Sequence, residues 1–503
     1  MSSARMIVGV VGGGTMGRGI VQLFAQSGFA VRCHDAQPGA AARAVDHALG
    51  MIARSVEKGR MTQQAYEAVR SSVCVADDLQ ALAGCALVVE AIVEDLAVKR
   101  DLFSRLEAIV AADTILATNT SSLTVAEIAS GCSRPQRVAG LHFFNPVPLM
   151  KVAEVIAAVR TSPSVTATLK DAVERTGHRA VVVADQPGFL INHAGRGLYT
   201  EGLRIVEEQV ASAADVDDVL RDAMGFRMGP FELLDLTGLD VSSKVMTSIY
   251  EQFQHEPRFR PSSLVAPRVS AGLYGRKSGE GWYRYDEQGK KVPPPARNVP
   301  APGGARSVWL AAGTPGGLKD LVREAGWAVV QEAGRAEVAI LAPWGSDATT
   351  AAVAAGVDPR IAVAVDPMTA FELRRTLMIT SVTTAHARDA VHALLASDGT
   401  PVTLINDSCG FIAQRVMATI VNIAANIAQR GIADVADLEA AVQLGLGYPL
   451  GPLAWGDRIG ARNVLAILQG ELAQTGDPRY RASPWLQRRA MLGLPLTTPE
   501  AAR

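Results

Sequence analysis

Apolar and polar positions along the first third of the chain fall into short runs separated by helical stretches. Met6–Val11, Ala30–His34, Leu87–Ala91, Thr114–Thr118 and Val138–His142 are β-type apolar runs, too short for helices and bounded by turn residues. Their alternation with helical segments over residues 6–142 predicts a doubly wound α/β domain with a mostly parallel sheet. Residues 43–72, between the second and third strands, exceed an ordinary α/β connection of ~2 to 6 residues and read as a helical hairpin. From Gly188 to about Thr247 the periodicity turns helical, with Asp215-Val216-Asp217-Asp218 capping and charging one helix start. The predicted fold class is α/β plus all-α.

Lys291 to Gly304 is rich in proline and glycine and cannot sustain a helix or a central strand, so it is taken as a linker. Beyond it the chain repeats itself. Asp185-Gln-Pro-Gly-Phe189 recurs as Asp407-Ser-Cys-Gly-Phe411, and Met228-Gly-Pro-Phe-Glu-Leu-Leu-Asp235 as Leu450-Gly-Pro-Leu-Ala-Trp-Gly-Asp457; 407 minus 185 and 457 minus 235 both give 222. A constant offset favours duplication. Residues 305–405 echo the first domain, Gly326-Trp-Ala-Val329 resembling Gly28-Phe-Ala-Val31, but with Gly313-Thr-Pro-Gly-Gly317 where the first copy has its glycine turn. Alignment puts Asp366 and Thr376 where the first copy has His142 and Glu154. The expected order is an α/β domain (1–187), a helical domain (188–290), the linker (291–304), a degenerate α/β copy (305–405) and a second helical domain (406–503).

With 49 Lys and Arg against 50 Asp and Glu, no whole-chain field favours nucleic acid or an anionic membrane. Five cysteines without a C-x-x-C pair argue against a disulfide framework and a zinc site, and for the cytoplasm. The first apolar run, Met6–Val11, is too short for a signal-peptide core, and nowhere do ~18 apolar residues run together.

Gly12-Gly13-Gly14-Thr15-Met16-Gly17 follows a Val/Ile-rich strand and opens the helix Gly19–Gln26, the context in which G-x-G-x-x-G marks a dinucleotide site. Gly12 permits the tight turn, Gly14 lets backbone approach a pyrophosphate, and Gly17 lets helix and strand pack closely. Asp35, at the end of the second strand, is placed to accept from a ribose 2′-hydroxyl, and its charge repels a 2′-phosphate. Ala36 and Gln37 follow it, so NAD is favoured over NADP. His142 ends a strand on the side where such sheets bind ligands. A lone histidine in an apolar stretch is more often a core residue. Glu154, in the apolar run Val152–Val159, has little reason to be there without a partner. Paired, the two form a base with an anion that fixes its tautomer.

The glycine turn, Val89-Glu90-Ala91-Ile92-Val93-Glu94, Asn119-Thr120-Ser121-Ser122, the segment Leu141–Pro148 with Lys151–Glu154, Pro187-Gly188-Phe189-Leu190-Ile191-Asn192 and Lys277-Ser278-Gly279-Glu280-Gly281 together resemble the L-3-hydroxyacyl-CoA dehydrogenase family, from about Met6 to Tyr285. The resemblance implies a Rossmann-type NAD domain, with His142 as general base and Glu154 as its orienting partner. Ser121 and Asn192 would hydrogen-bond the substrate's 3-oxygen and thioester region, and Asn145 would keep histidine, cofactor and substrate in register. Gly12, Gly14, Thr15, Met16, Gly17, Asp35, Glu94, Lys99, Ser121, Asn145 and Lys277 match positions that meet NAD. Coenzyme A would lie on the helical hairpin beside Arg54, Lys58 and Arg60. Read blandly, Ser121 caps the helix starting near Thr124, Asn192 is a turn residue, and Lys99, Arg54, Lys58 and Arg60 belong to solvated faces.

The long chain, with Glu207–Ser212 and Met224–Leu233, looks most like the phenylacetate-degradation branch, which implies 3-hydroxyadipyl-CoA as substrate; 3-hydroxybutyryl-CoA or longer acyl-CoAs remain alternatives. In short members helical domains pair across a dimer, so the second helical domain is expected to supply that partner within one chain, a homodimer being the other arrangement. A non-catalytic NAD-binding sensor or structural relative is the reading from a different class. Dehydrogenases of free β-hydroxy acids are disfavoured, since their signature uses a catalytic lysine.

Overall fold

The computed structural model describes residues 6–293, 298–301 and 305–501, so the proposed linker 291–304 lies partly outside the described residues. The chain divides into two compact units, Met1–His193 with Arg430–Leu446, and Ala194–Gln429 with Gly447–Arg503.

The first unit is built on eight strands: β1 (Ile7–Val11), β2 (Ala30–His34), β3 (Val73–Val75), β4 (Leu87–Glu90), β5 (Ile115–Thr118), β6 (Val138–Phe143), β7 (Val152–Ala157) and β8 (Arg179–Ala184). They lie in the order β3-β2-β1-β4-β5-β6-β7-β8, parallel throughout except for β6 against β7. The chain leaves β1 towards β2 and later returns to its other side at β4, so β1 and β4 flank the switch point where such sheets bind ligands beyond their carboxyl ends. Val8, Val10, Val31, Leu87, Val89, Ala117 and Leu141 pack against Ile20, Leu23 and Phe24 of the helix Thr15–Gln26 in one apolar core.

Five predicted strands are present, within a residue or so at their ends. The helix after the glycine turn starts at Thr15, earlier than Gly19, because Gly17 and Gly19 are tolerated where close packing needs them. Residues 43–72 form the expected hairpin, Ala40–Glu57 and Gln63–Arg70. The short edge strand β3 and the strands β7 and β8 were not assigned from the sequence; β7 and β8 continue the sheet beyond His142.

The two compact units group the chain differently from its order in sequence. The segment Arg430–Leu446, assigned by sequence to the second helical domain, belongs with the first unit. There Arg179 pairs with Asp437 at 2.5 Å and Ala184 N donates to Ile432 O at 2.9 Å, so the segment lies along β8. Likewise, the first helical region and the degenerate copy share one unit.

The second unit contains six strands: β9 (Ser307–Leu310), β10 (Ala328–Val329), β11 (Val338–Leu341), β12 (Ala362–Val365), β13 (Arg375–Ile379) and β14 (Val402–Ile405). Their order is β10-β9-β11-β12-β13-β14, with β12 antiparallel to β13. Duplication extends to individual bonds. Asp185 accepts from Val125 N and Ala126 N at 3.0 and 2.8 Å, and Asp407 from Ala348 N and Thr349 N at 2.7 and 3.3 Å. Asp235 accepts from Trp282 N and Tyr283 N, and Asp457 from Leu496 N and Thr497 N. The helices Pro230–Thr237 and Pro452–Ile459 start 222 residues apart. One capping expectation is corrected: Ser212 caps the helix Ala213–Asp222, reciprocated by Asp215 in a capping box, while Asp217 is buried and accepts from Phe231 N, Glu232 N and the Tyr283 hydroxyl. The Ser212 hydroxyl oxygen accepts from Asp215 N, and Asp215, inside the first turn, accepts in return from Ser212 N.

Candidate active site

The glycine turn is shaped by close approach. Gly12 has φ +109°, and a Cβ there would lie 2.5 Å from Ala91 O; a Cβ on Gly17 would lie 1.7 Å from Gly12 O. Gly14 has nothing within 4 Å of its would-be Cβ and is exposed with Thr15, leaving the helix start open to a phosphate. Gly12, Gly13, Gly14, Asp35, Arg43 and Val98 are among the residues lining a cleft of about 710 Å³. Asp35 accepts from Gly13 N at 2.6 Å and from Gln37 N at 2.7 Å, which fixes its carboxylate at the cleft wall. An open helix start with a fixed acid beside it fits a dinucleotide. Arg18 and Arg43 also line the cleft; the sequence reading passed over both, although Arg18 directly follows the motif.

A second cavity, of about 320 Å³, shares Ala91 and Ile92 with the cleft, and Met16, Glu94, Ser121, His142, Asn145 and Asn192 also line it. The antiparallel register of β6 and β7 sets His142 directly opposite Glu154. His142 Nδ1 lies 2.6 Å from Glu154 Oε2. Glu154 is 0% exposed, and its Oε1 accepts from Leu190 N and Ile191 N at 2.9 and 2.8 Å. These bonds anchor the strand pair to the segment carrying Asn192. With Nδ1 donating to the carboxylate, the tautomer assigned by this geometry leaves Nε2 as the accepting nitrogen. Phe144 packs edge-on to the imidazole, ring centroids 4.4 Å apart.

Glu94 gathers the Ser121 loop. Its Oε1 accepts from the Thr120 hydroxyl at 2.6 Å, from Ser121 N at 2.9 Å, and from Ser122 N and hydroxyl at 3.0 and 2.9 Å. Burial works against its charge, but the Thr120 hydroxyl, the Lys99 ammonium and the serine donors outweigh it and hold the carboxyl below its ordinary value. Lys99 stands behind this loop, 1% exposed, with its ammonium 2.6 Å from Glu90 and 3.2 Å from Glu94. It lines neither cavity. Thr124, not Ser121, caps the helix Val125–Ala129.

Arg54, Lys58 and Arg60 are exposed on the hairpin and line neither cavity. Lys277 belongs to the second unit, where it pairs with Asp240 at 2.5 Å. Glu90 and Asn119 were not singled out from the sequence. Glu90 is fully buried, accepting from Ile92 N, Lys99 and Thr118, and Asn119 accepts from Phe143 N at 2.8 Å. A glutamate between valines and Ala91 carried the same signal that drew attention to Glu154.

The degenerate copy keeps the register without the chemistry. Asp366 follows β12 opposite Thr376, its N donating to Thr376 O at 3.3 Å. Gln414, 222 residues after Asn192, donates to Asp366 at 3.0 Å. Among the described residues no group of three metal-ligating side chains is found and no helix is long and apolar enough to cross a membrane.

Residues 7–186 match the family 3-hydroxyacyl-CoA dehydrogenase, NAD binding domain, and residues 188–285 and 410–497 each match its C-terminal domain. The chain is 34% identical over 485 residues to 3-hydroxyadipyl-CoA dehydrogenase of Escherichia coli, covering 96% of this chain and 97% of that protein. It is 38% identical over 279 residues to a probable 3-hydroxybutyryl-CoA dehydrogenase of Bacillus subtilis, covering 56% of this chain and 97% of that one. A crystal structure described as 3-hydroxybutyryl-CoA dehydrogenase from Escherichia coli superimposes with a TM-score of 0.84 at 33% identity, over 97% of this chain and 99% of the other. Short relatives thus correspond to the first half, and long ones to both. With an intact glycine turn, a fixed acid beyond it and a histidine–glutamate pair in the adjoining cavity, the chain belongs to the 3-hydroxyacyl-CoA dehydrogenase family of NAD-dependent oxidoreductases.

Proposed function

We propose that His142 is the general base in the NAD-dependent oxidation of an L-3-hydroxyacyl-CoA to the 3-ketoacyl-CoA, and that 3-hydroxyadipyl-CoA, in phenylacetate catabolism, is the substrate. The observation that carries the catalytic reading is the 2.6 Å contact between His142 Nδ1 and buried Glu154. Glu154 holds the ring with Nε2 free to take the 3-hydroxyl proton, and its charge stabilises the imidazolium that results. NAD, when bound, supplies the acceptor for the hydride leaving C3. Ser121 and Asn192 donate to the 3-oxygen and the thioester region, Asn145 keeps the partners aligned, and Glu94 orders the Ser121 backbone. In the reverse direction protonated His142 returns its proton to the 3-oxygen. Positioning these groups within one small cavity is the protein's main contribution.

Arg54, Lys58 and Arg60 give the exposed hairpin a basic face suited to coenzyme A phosphates, and Lys99 serves the cofactor's surroundings by ordering Glu94. Five free cysteines suit a reducing compartment, here the cytoplasm. Within the second unit the helix Arg196–Glu207 packs on Ile412–Gln429, so the second helical region takes the place of a dimer partner.

His142→Gln is expected to lower kcat by a factor on the order of 10² or more while leaving NADH affinity nearly unchanged by fluorescence titration. Equal loss of NADH affinity would count against the role, and NADH binding without turnover of acetoacetyl-CoA by the native protein would favour a sensor. For the substrate, kcat/KM across 3-hydroxybutyryl-, 3-hydroxyhexanoyl- and 3-hydroxyadipyl-CoA is the deciding comparison. Full-length likeness to an enzyme named for 3-hydroxyadipyl-CoA supports preference for the dicarboxylic ester. The likeness to proteins named for 3-hydroxybutyryl-CoA supports the second reading, which preference for the four-carbon ester would establish.

A further inference from the structure

The second unit holds a cavity of about 470 Å³ whose lining includes Glu208, Asp347, Asp407, Arg415, Glu471 and Tyr480. It is not a worn copy of the catalytic cavity. By the 222-residue offset, Asp407 to Cys409 match Asp185 to Pro187, which line neither the dinucleotide cleft nor the histidine cavity. Its polar groups are those of the second half and of Glu208.

Its charge is mostly accounted for. Buried Arg415 lies 2.7 Å from Glu201 and 2.8 Å from Glu208, so its single positive charge is already shared by two carboxylates. The Tyr480 hydroxyl donates to Glu201 at 3.1 Å. Asp347 caps Thr350 N and accepts from Gln474, and Asp407 holds Ala348 N and Thr349. Glu471 is different. It is 0% exposed, neither oxygen accepts a hydrogen bond from any described residue, and its nearest cation, Arg415 Nε, is 3.9 Å away. A buried carboxylate with no donor is strongly unfavourable.

We propose that this cavity is a binding site for a small organic cation bearing a primary ammonium, received by Glu471 and Glu208. An ammonium brings three donors and no acceptor, which suits a wall lined by four carboxyl groups, of which Glu208 already pairs with Arg415 and Arg204 while neither oxygen of Glu471 has a donor among the described residues. An anionic ligand would meet that same excess of negative charge. Burial first, then the charges of Glu201 and Glu208, push the Glu471 carboxyl well above its ordinary value, against Arg415 and Arg479. A cation bound beside Glu471 opposes that shift, so its binding is expected to be accompanied by proton release.

Putrescine is the probe, titrated calorimetrically into the full-length protein in two buffers of different ionisation enthalpy, with 1,4-butanediol as neutral isostere and potassium chloride as inorganic cation. The expected result is saturable binding of putrescine with proton release, and Glu471→Gln binding at least about tenfold more weakly. Should Glu471→Gln fail to fold, Glu208→Gln, at a partly exposed position, is expected to weaken binding likewise. The proposal is overturned by no binding up to about 10 mM, by butanediol binding as well as putrescine, by potassium displacing putrescine at equal concentration, or by unchanged affinity in whichever variants fold.

Discussion

Both oxygens of Glu154 are committed, one to His142 and the other to two backbone N–H groups at Leu190 and Ile191, so two substitutions separate its roles. Glu154→Gln keeps an acceptor for the backbone donors but turns an amide NH2 towards Nδ1, which favours the tautomer carrying its proton on Nε2. The expected outcome is a fall in kcat on the order of 10² or more with a melting temperature close to native. Glu154→Ala also orphans the two buried N–H groups and is expected to lose about 2 to 4 kcal/mol in chemical denaturation. Equal stability of the two variants would contradict the anchoring role. This pair was legible in the sequence because an acid stranded among valines needs a partner. The same logic applied to Glu90 and was not used there. That Lys99 stands behind the Ser121 loop depended on the helix Leu96–Ile109 returning over β4, which no local pattern states.

At the scale of elements, parallel strands buried on both faces read as continuous apolar runs, so β1, β2, β4, β5 and β6 were visible in the sequence. β3 was not, being three residues with one buried side chain. The run containing β7 was noticed for its glutamate, yet its antiparallel placement beside β6 comes only from the fold, and this placement makes the site. The same register in the degenerate copy has a measurable residue. Burial raises the Asp366 carboxyl to about 6, against the donors Met368 N and Gln414, and its Oδ2 has no partner among the described residues. Folded Asp366 thus retains its proton between pH about 4 and 6 while the unfolded chain has lost it, so stability falls as pH rises through that window and then levels. Asp366→Asn keeps the accepting oxygen without the charge. It is expected to stabilise the protein by about 1 to 3 kcal/mol at pH 8, with the gain vanishing near pH 4, as read by denaturant titration at the two pH values. A gain independent of pH would argue for better packing instead.

For the molecule as a whole, the second copy packs closely on the first helical region. Gly197 lies so close to Ile420 that a Cβ there would come within 3.0 Å of its Cα, and Glu201 is buried against Arg415 and Tyr480. Removing residues 291–503 would expose this helix face, strand a buried glutamate, and uncover β8 where Arg430–Leu446 now lies. Chain 1–290 is therefore expected to aggregate or self-associate on size-exclusion chromatography, with much reduced specific activity. A stable, fully active monomer would refute the idea that the second helical region stands in for a dimer partner.

By itself the sequence determined the glycine turn, the acid beyond the second strand, the histidine and glutamate, and the 222-residue repeat, because each is a local conformational demand or a periodicity. The tertiary structure alone decided that His142 and Glu154 face each other across antiparallel strands, that Lys99 serves Glu94, and that Arg430–Leu446 crosses into the first unit. Register, burial and partner choice arise when distant segments compete for the same surface, and that competition is settled by packing and by the need to satisfy buried charge.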